Sequence, residues 1–127
     1  MLQKAKLAYT LWLVVAEQIP RIHRYGLRSR VEFYFLELLE SIFTALFLPP
    51  IEKIPYIERA MKKLNGVKFF LQLCWENKLV PNSQYIQLTE QLNEIGRMLG
   101  GWKIGIEKKT LARTCERKPQ VSGRKTR

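Results

Sequence analysis

Hydrophobic side chains recur along this chain at steps of three and four residues, the period of an α-helix that buries one face. The pattern predicts four helices, over residues 5–18, 20–47, 55–78 and 82–101, separated by breaks that carry proline. No stretch shows a competing strand pattern. Because the connections are short, consecutive helices should run antiparallel, and the sequence predicts an all-α, up-down-up-down four-helix bundle.

The fourth helix has the clearest signals at its ends. Asn82 or Ser83 is a suitable N-cap, and Gly100-Gly101 is a typical C-terminal stop. Its apolar residues follow the spacing of a bundle seam: Tyr85, Leu88, Leu92, Ile95, Leu99 and Trp102. Two further glycines lie inside predicted helices, where Gly26 is expected to break the first turns of the second helix and Gly66 to weaken the third.

The second helix carries more apolar residues than one buried face requires. They surround most of its circumference: Phe33, Tyr34, Phe35, Leu36, Leu38, Leu39, Ile42, Phe43, Leu46 and Phe47. A surplus apolar face is most economically covered by another copy of the chain or by a partner, which predicts an oligomer. The alternative interpretation is a helix that lies unusually centrally within one bundle.

Two apolar stretches raise the question of targeting or membrane insertion. The first, residues 7–16 after Lys4 and Lys6, resembles a signal peptide in outline, but its polar positions also fit a bundle helix, which we favour. The second, residues 33–48, is interrupted by glutamates and is shorter than the roughly 20 residues that a bilayer requires. We therefore expect no membrane segment.

Charge changes the picture more than overall composition does. The chain has 127 residues, 46% of them hydrophobic, and a formal net charge of +11. Nine basic and only two acidic residues fall within residues 103–127. We therefore divide the chain into a bundle over residues 1–102 and a basic, mobile tail over residues 103–127 that is suited to a polyanion such as nucleic acid. A tail that merely aids solubility is the alternative.

Few residues are available for catalysis or metal binding. The chain has no aspartate, one histidine and two cysteines, which is too few for a typical zinc site or an Asp-His-Ser triad. Cys74 lies in an apolar run typical of a buried structural thiol, and Cys115 lies in the basic tail. A HEPN-type helical ribonuclease has an arginine about four to six residues before its catalytic histidine, whereas Arg21 is only two residues before His23. We expect no enzyme activity, no metal, no cofactor and a reducing, cytoplasmic location.

Two segments make the chain recognisable. Glu17-Gln18-Ile19-Pro20-Arg21 is followed by Arg24, Leu27, Arg30 and Val31, and a later segment reads Ile95-Gly96-Arg97-Met98-Leu99-Gly100-Gly101-Trp102. Together they resemble the accessory variability determinant (Avd) proteins of diversity-generating retroelements, which belong with the four-helix-bundle proteins of ribosomal RNA intervening sequences. The resemblance covers residues 1 to about 102.

The resemblance implies an accessory protein without catalytic activity. Such a protein assembles as a homopentamer and binds the reverse transcriptase and template-repeat RNA of its retroelement, and it is required for mutagenic retrohoming. In that process, complementary DNA mutagenised at adenines replaces the variable region of a target gene. A stand-alone intervening-sequence-type bundle, acting as an oligomeric scaffold or nucleic-acid binder without a retroelement role, is the alternative.

The residues expected to contact nucleic acid or a partner come from two sources. The matching segments contribute Arg21, Arg24, Arg30 and Arg97. Charge alone adds Arg28, Lys62 and Lys63 on the predicted bundle, and Lys108, Lys109 and Arg113 in the predicted tail. Ordinary solvated faces remain the alternative for the bundle residues, and the dipole of the fourth helix is an alternative reason for Arg97.

Overall fold

A computed structural model describes the backbone of residues 1–117 and the side chains of residues 1–111. Four helices follow one another: α1 over Leu2–Ala16, α2 over Ser29–Leu46, α3 over Pro50–Glu76 and α4 over Asn82–Arg117. Two short turns, Arg21–His23 and Arg24–Arg28, connect α1 to α2. No β-strand occurs within residues 1–117, so the all-α prediction is confirmed.

The helices form the predicted up-down-up-down bundle. Each packs on its neighbours along the chain, and α1 and α4 close the ring. One apolar stripe from each helix fills the core, since residues three and four apart share a helix face. Its largest fully buried side chains are Trp12, Phe35, Leu38, Ile42, Ile57, Leu71, Leu88, Leu92, Ile95 and Leu99. Four of the six predicted seam positions of α4 are among them.

Gly26 interrupts the chain between α1 and α2, as predicted. Its backbone angles, φ −107° and ψ −110°, depart from helical values in the middle of the second connecting turn. The regular helix α2 therefore begins only at Ser29. None of residues 20–30 is fully buried, so this connection forms an exposed end of the bundle.

The third helix begins earlier than predicted. It starts at Pro50, whose missing N–H costs nothing in the first turn, and Pro49 accepts the first backbone hydrogen bonds, from Glu52 and Lys53. Pro55 lies inside the helix. The start predicted near Pro55 is wrong, because the helix already begins at Pro50, and Pro55, which has no N–H, only leaves one internal backbone hydrogen bond unmade.

Between α3 and α4 the chain turns through Lys78, whose φ of 62° is the only positive value among the described non-glycine residues. Leu79 N–H donates to Cys74 O at 2.8 Å, and Lys78 N–H donates to Trp75 O at 2.9 Å. These two bonds form a Schellman motif, which usually has glycine in the left-handed position. Lysine occupies it here.

The N-cap predicted at Asn82 or Ser83 is wrong, because both residues already lie inside α4. Pro81 accepts the first helical hydrogen bond, from Tyr85 N–H at 2.9 Å, so Asn82 already belongs to the helix. The Asn82 side chain instead accepts a hydrogen bond from Trp75 Nε1 at 2.5 Å. Trp75 also stacks on Tyr85, with ring centroids 4.7 Å apart. These contacts fix α3 to the start of α4.

The predicted stop at Gly100-Gly101 is also wrong, because α4 continues to Arg117. Neither glycine has the positive φ with which a glycine commonly ends a helix. Tertiary contacts beyond them favour the helix: Lys103 Nζ lies 3.0 Å from Glu58 Oε2, and Ile106 is only 7% exposed. The helix thus crosses the expected boundary at residue 102. Residues 118–127 of the expected tail, and the side chains of residues 112–117, lie outside the described part of the chain.

Gly66 has a packing role that the sequence did not reveal. The ring of Tyr34 lies directly against it, so a Cβ at this position would stand 2.8 Å from Tyr34 Cδ1. Tyr34 is in turn stacked on Phe70 with centroids 5.5 Å apart. Glycine at position 66 therefore allows α2 and α3 to approach each other closely.

The surplus apolar face of α2 remains uncovered within one chain. Four side chains that we call the outer α2 stripe are half or more exposed: Phe33 51%, Leu36 50%, Phe43 53% and Phe47 72%. Helix α2 is therefore not buried on all sides by its own bundle. No helix in the described part of the chain is long and apolar enough to cross a membrane.

Candidate nucleic-acid interface

Four of the predicted arginines lie on the connection between α1 and α2 and on the first turn of α2. Arg21, Arg24 and Arg30 are exposed, and none has an ion pair within the described residues. Arg28 is half-buried, with Nε 3.9 Å from Glu32 Oε1. Pro20 and the kink at Gly26 interrupt the regular helix in this segment. The arginines therefore lie at one end of the bundle, where α1 connects to α2.

The structure brings two of these arginines together. Arg24 and Arg28 line one open cavity of about 270 Å³ with Tyr25, Ser29 and Glu32. Glu32 partly neutralises Arg28, whereas Arg24 keeps its charge unpaired among the described residues. The cavity can therefore receive an anionic group beside an aromatic ring.

Lys62 and Lys63 are neighbours in sequence but have different surroundings on α3. Lys63 Nζ lies 3.9 Å from Glu37 Oε1 and 5.3 Å from the ring centre of Tyr34. Arg59 Nη2 lies 2.6 Å from the same Glu37 oxygen, and this hydrogen bond raises the pKa of Arg59. Lys63 is thus held in a structural network between α2 and α3, and Lys62 is exposed without an ion pair in the described region.

Arg97 lies in a groove between α3 and α4 that the sequence reveals only in part. The groove, of about 390 Å³, is also lined by Asn65, Lys68, Asn93 and Gly96. Lys68 was not predicted, because its position beside Arg97 depends on the packing of two helices. Gly96 leaves room for that packing, since a Cβ there would stand 3.3 Å from a methyl group of Leu64.

A salt bridge between Lys4 and Glu94 lies near Arg97. Lys4 Nζ donates to Glu94 Oε2 at 2.8 Å, and this contact, with the nearby charge of Arg97, lowers the pKa of Glu94. The bridge joins α1 to α4. Glu94 therefore offsets part of the positive charge at the edge of the groove.

The predicted tail residues Lys108, Lys109 and Arg113 lie on α4. Lys108 and Lys109 are exposed in the C-terminal third of α4. Arg113 belongs to the same helix, but its side chain lies outside the described residues. The structure separates these cations from the arginines at the α1–α2 connection, because α4 runs away from that end of the bundle.

Among the described residues, no group of three His, Cys, Asp or Glu side chains could hold a metal ion. Cys74 is buried as predicted, and burial raises the pKa of its thiol to about 11. A protonated, enclosed thiol is a poor nucleophile.

A family model described as bAvd-like matches residues 1–106, most of the chain and nearly the whole of the bundle. The chain belongs to the bAvd-like family. The resemblance to Avd proteins that the two sequence segments indicated is thereby confirmed. In this bAvd-like protein the first segment forms the α1–α2 connection and the second lies within α4. Residues 107–117 of α4 fall outside the matched range. Comparison with curated protein sequences gives no significant match.

Proposed function

We propose that this protein is a non-catalytic accessory factor of a diversity-generating retroelement. It binds the reverse transcriptase and the template-repeat RNA, and it thereby supports mutagenic reverse transcription and retrohoming. The observation that carries the proposal is the bAvd-like family match over residues 1–106. The proposal places the protein in the cytoplasm, a reducing compartment that suits a free thiol such as Cys74.

Charge supports RNA binding independently of the family. Arg21, Arg24 and Arg30 are exposed and free of acidic partners in the described part of the chain. Guanidinium groups bind phosphate through several N–H donors, and each neutralised phosphate of a single strand adds about 0.7 to the slope of log affinity against log salt. RNA binding by this surface should therefore weaken steeply as salt rises.

The outer α2 stripe supports self-association. Full burial of one large apolar side chain is worth about 1.5–3 kcal/mol, and each member of the stripe still exposes about half of its surface or more. Covering all four would contribute several kcal/mol per copy before the costs of association. We propose that this stripe lies at the interface of a homo-oligomer, with the pentamer of Avd proteins as the expected assembly.

A genetic experiment tests the functional proposal. The gene is deleted in the organism that encodes it, and transfer of adenine-directed mutations to the variable region is measured by sequencing. The wild-type gene should restore transfer, and a variant with Arg21→Gln, Arg24→Gln and Arg30→Gln should fail to do so at equal protein abundance.

The matched control is Lys6→Gln, which removes a charge from an exposed position of α1 outside the α1–α2 connection. It should restore transfer as well as the wild type does. Undiminished transfer in the deletion strain would contradict the proposal, and it would favour the stand-alone bundle without a retroelement role.

A further inference from the structure

The side chain of Tyr25 is more exposed to solvent than aromatic rings usually are in folded proteins. It is 90% exposed, more than any other large hydrophobic residue with a described side chain. It lies immediately before the Gly26 kink in the turn that leads into α2. Its ring makes no aromatic stacking contact within residues 1–111. Tyr25 therefore adds nothing to the core, and its ring is free to contact a partner outside the chain.

The surroundings of Tyr25 indicate the chemistry of that partner. Residues 20–31 contain four arginines and no acidic residue. Arg24 and Arg28 share the open cavity with Tyr25, and Ser29 and Glu32 complete its lining. Glu32 opposes only Arg28, at 3.9 Å. The cavity thus combines an aromatic face, a hydroxyl-bearing residue and a guanidinium without an acidic partner among the described residues.

An aromatic ring beside cations is the arrangement that binds single-stranded nucleic acid. Unpaired bases stack on aromatic side chains, while arginines contact the phosphates of the same strand. A duplex offers its phosphates but keeps its base faces stacked inside. We propose that Tyr25 stacks on an unpaired base while Arg24 and Arg28 bind the flanking phosphates. This inference rests on the proposed function, because it assigns a contact within RNA binding.

The test separates stacking from charge. A fluorescein-labelled oligouridylate of about 12 nucleotides is titrated with the full chain at several salt concentrations, and binding is followed by anisotropy. Tyr25→Ala should weaken binding by a factor between about 5 and 100 and leave the salt slope unchanged, because it removes a ring and no charge. Tyr25→Phe, which keeps the ring, should bind within about twofold of the wild type.

Two controls identify what is lost. Arg24→Gln should reduce the salt slope by about 0.7, the value expected for one phosphate contact on a single strand. Heparin carries negative charge but no bases, so Tyr25→Ala should bind it as the wild type does. Circular dichroism checks that each variant keeps its helical content, which is expected because Tyr25 lies outside the core.

The outcomes that would overturn the inference are distinct from failure of the proposed function. If Tyr25→Ala binds the oligouridylate with wild-type affinity while Arg24→Gln lowers the slope, stacking is refuted and RNA binding stands. Equal loss of heparin and oligouridylate binding in Tyr25→Ala would also refute stacking. If Tyr25→Ala binds RNA normally but no longer captures the reverse transcriptase, Tyr25 docks protein instead. If the wild-type chain binds no RNA, the RNA-binding part of the proposed function fails too.

Discussion

The contact between Gly66 and Tyr34 gives a prediction that opposes ordinary helix propensity. Alanine is normally about 1 kcal/mol more favourable than glycine inside a helix, so Gly66→Ala would stabilise an isolated α3. In the folded protein the new Cβ would stand 2.8 Å from Tyr34 Cδ1 and 3.0 Å from Cε1. Such distances are too short for carbon atoms, and either the ring or the helix must move.

The ring of Tyr34 has little freedom to retreat. It stacks on Phe70 at 5.5 Å, meets Phe33 edge to face at 5.5 Å and lies 5.3 Å below Lys63 Nζ. Overpacking in such surroundings costs about 1–3 kcal/mol, which offsets or exceeds the gain in propensity. We therefore expect Gly66→Ala to lower the free energy of unfolding by about 0–2 kcal/mol.

Gly101 supplies the matched control because it also lies inside a helix and is exposed, and a Cβ added there would meet no atom within 4 Å. Gly101→Ala should raise the free energy of unfolding by about 0.5–1 kcal/mol. Urea denaturation followed by circular dichroism, at one protein concentration, measures both changes. In a Tyr34→Ala background, Gly66→Ala should become stabilising. If Gly66→Ala stabilises the wild-type background as much as Gly101→Ala does, the packing argument is refuted.

Three further predictions concern other parts of the bundle. Lys78→Gly should raise the free energy of unfolding by about 0.5–1 kcal/mol in the same urea assay, because the left-handed φ of 62° is easier for glycine; a loss of stability would contradict this. With a pKa of about 11, Cys74 should be about 0.1% thiolate at pH 8. In a Cys115→Ser variant, a disulfide reagent should therefore label Cys74 only after denaturant is added. Fast labelling of the folded protein would refute the burial of Cys74. Phe43→Glu should lower the molar mass measured by light scattering while helical content persists, because it places a charge on the outer α2 stripe; an unchanged mass would exclude Phe43 from the interface.

The number of helices, their order and most of the core could be predicted from periodicity alone. The seam of α4 is an example, because four of its predicted positions are fully buried. The helix ends were less predictable. Gly100-Gly101 has the local signature of a stop, yet contacts of Lys103 and Ile106 with distant parts of the fold continue the helix. Conversely, α3 ends in a left-handed turn at a lysine, which sequence rules assign to glycine.

The candidate site, like the fold, could be predicted from the sequence only in part. Local sequence assigns Arg21, Arg24 and Arg30 to one short connection and the helix turn that follows it. Partners supplied by other helices could not be foreseen: Glu37 holds Lys63 in a structural network, and Lys68 joins Arg97 in a groove. The role of Tyr25 was hidden for another reason. A tyrosine near a glycine can be buried or exposed, and only the three-dimensional position of the turn decides between them.

The central claim is that this bAvd-like protein connects a reverse transcriptase with its RNA. The most direct measurement is a pull-down of the tagged protein from its own host at moderate salt, with proteins and RNAs identified in parallel and a nuclease-treated control. The account predicts recovery of a reverse transcriptase together with one defined template-repeat RNA, and the nuclease control shows whether RNA bridges the two proteins. Recovery of bulk ribosomal RNA without any reverse transcriptase would contradict the account.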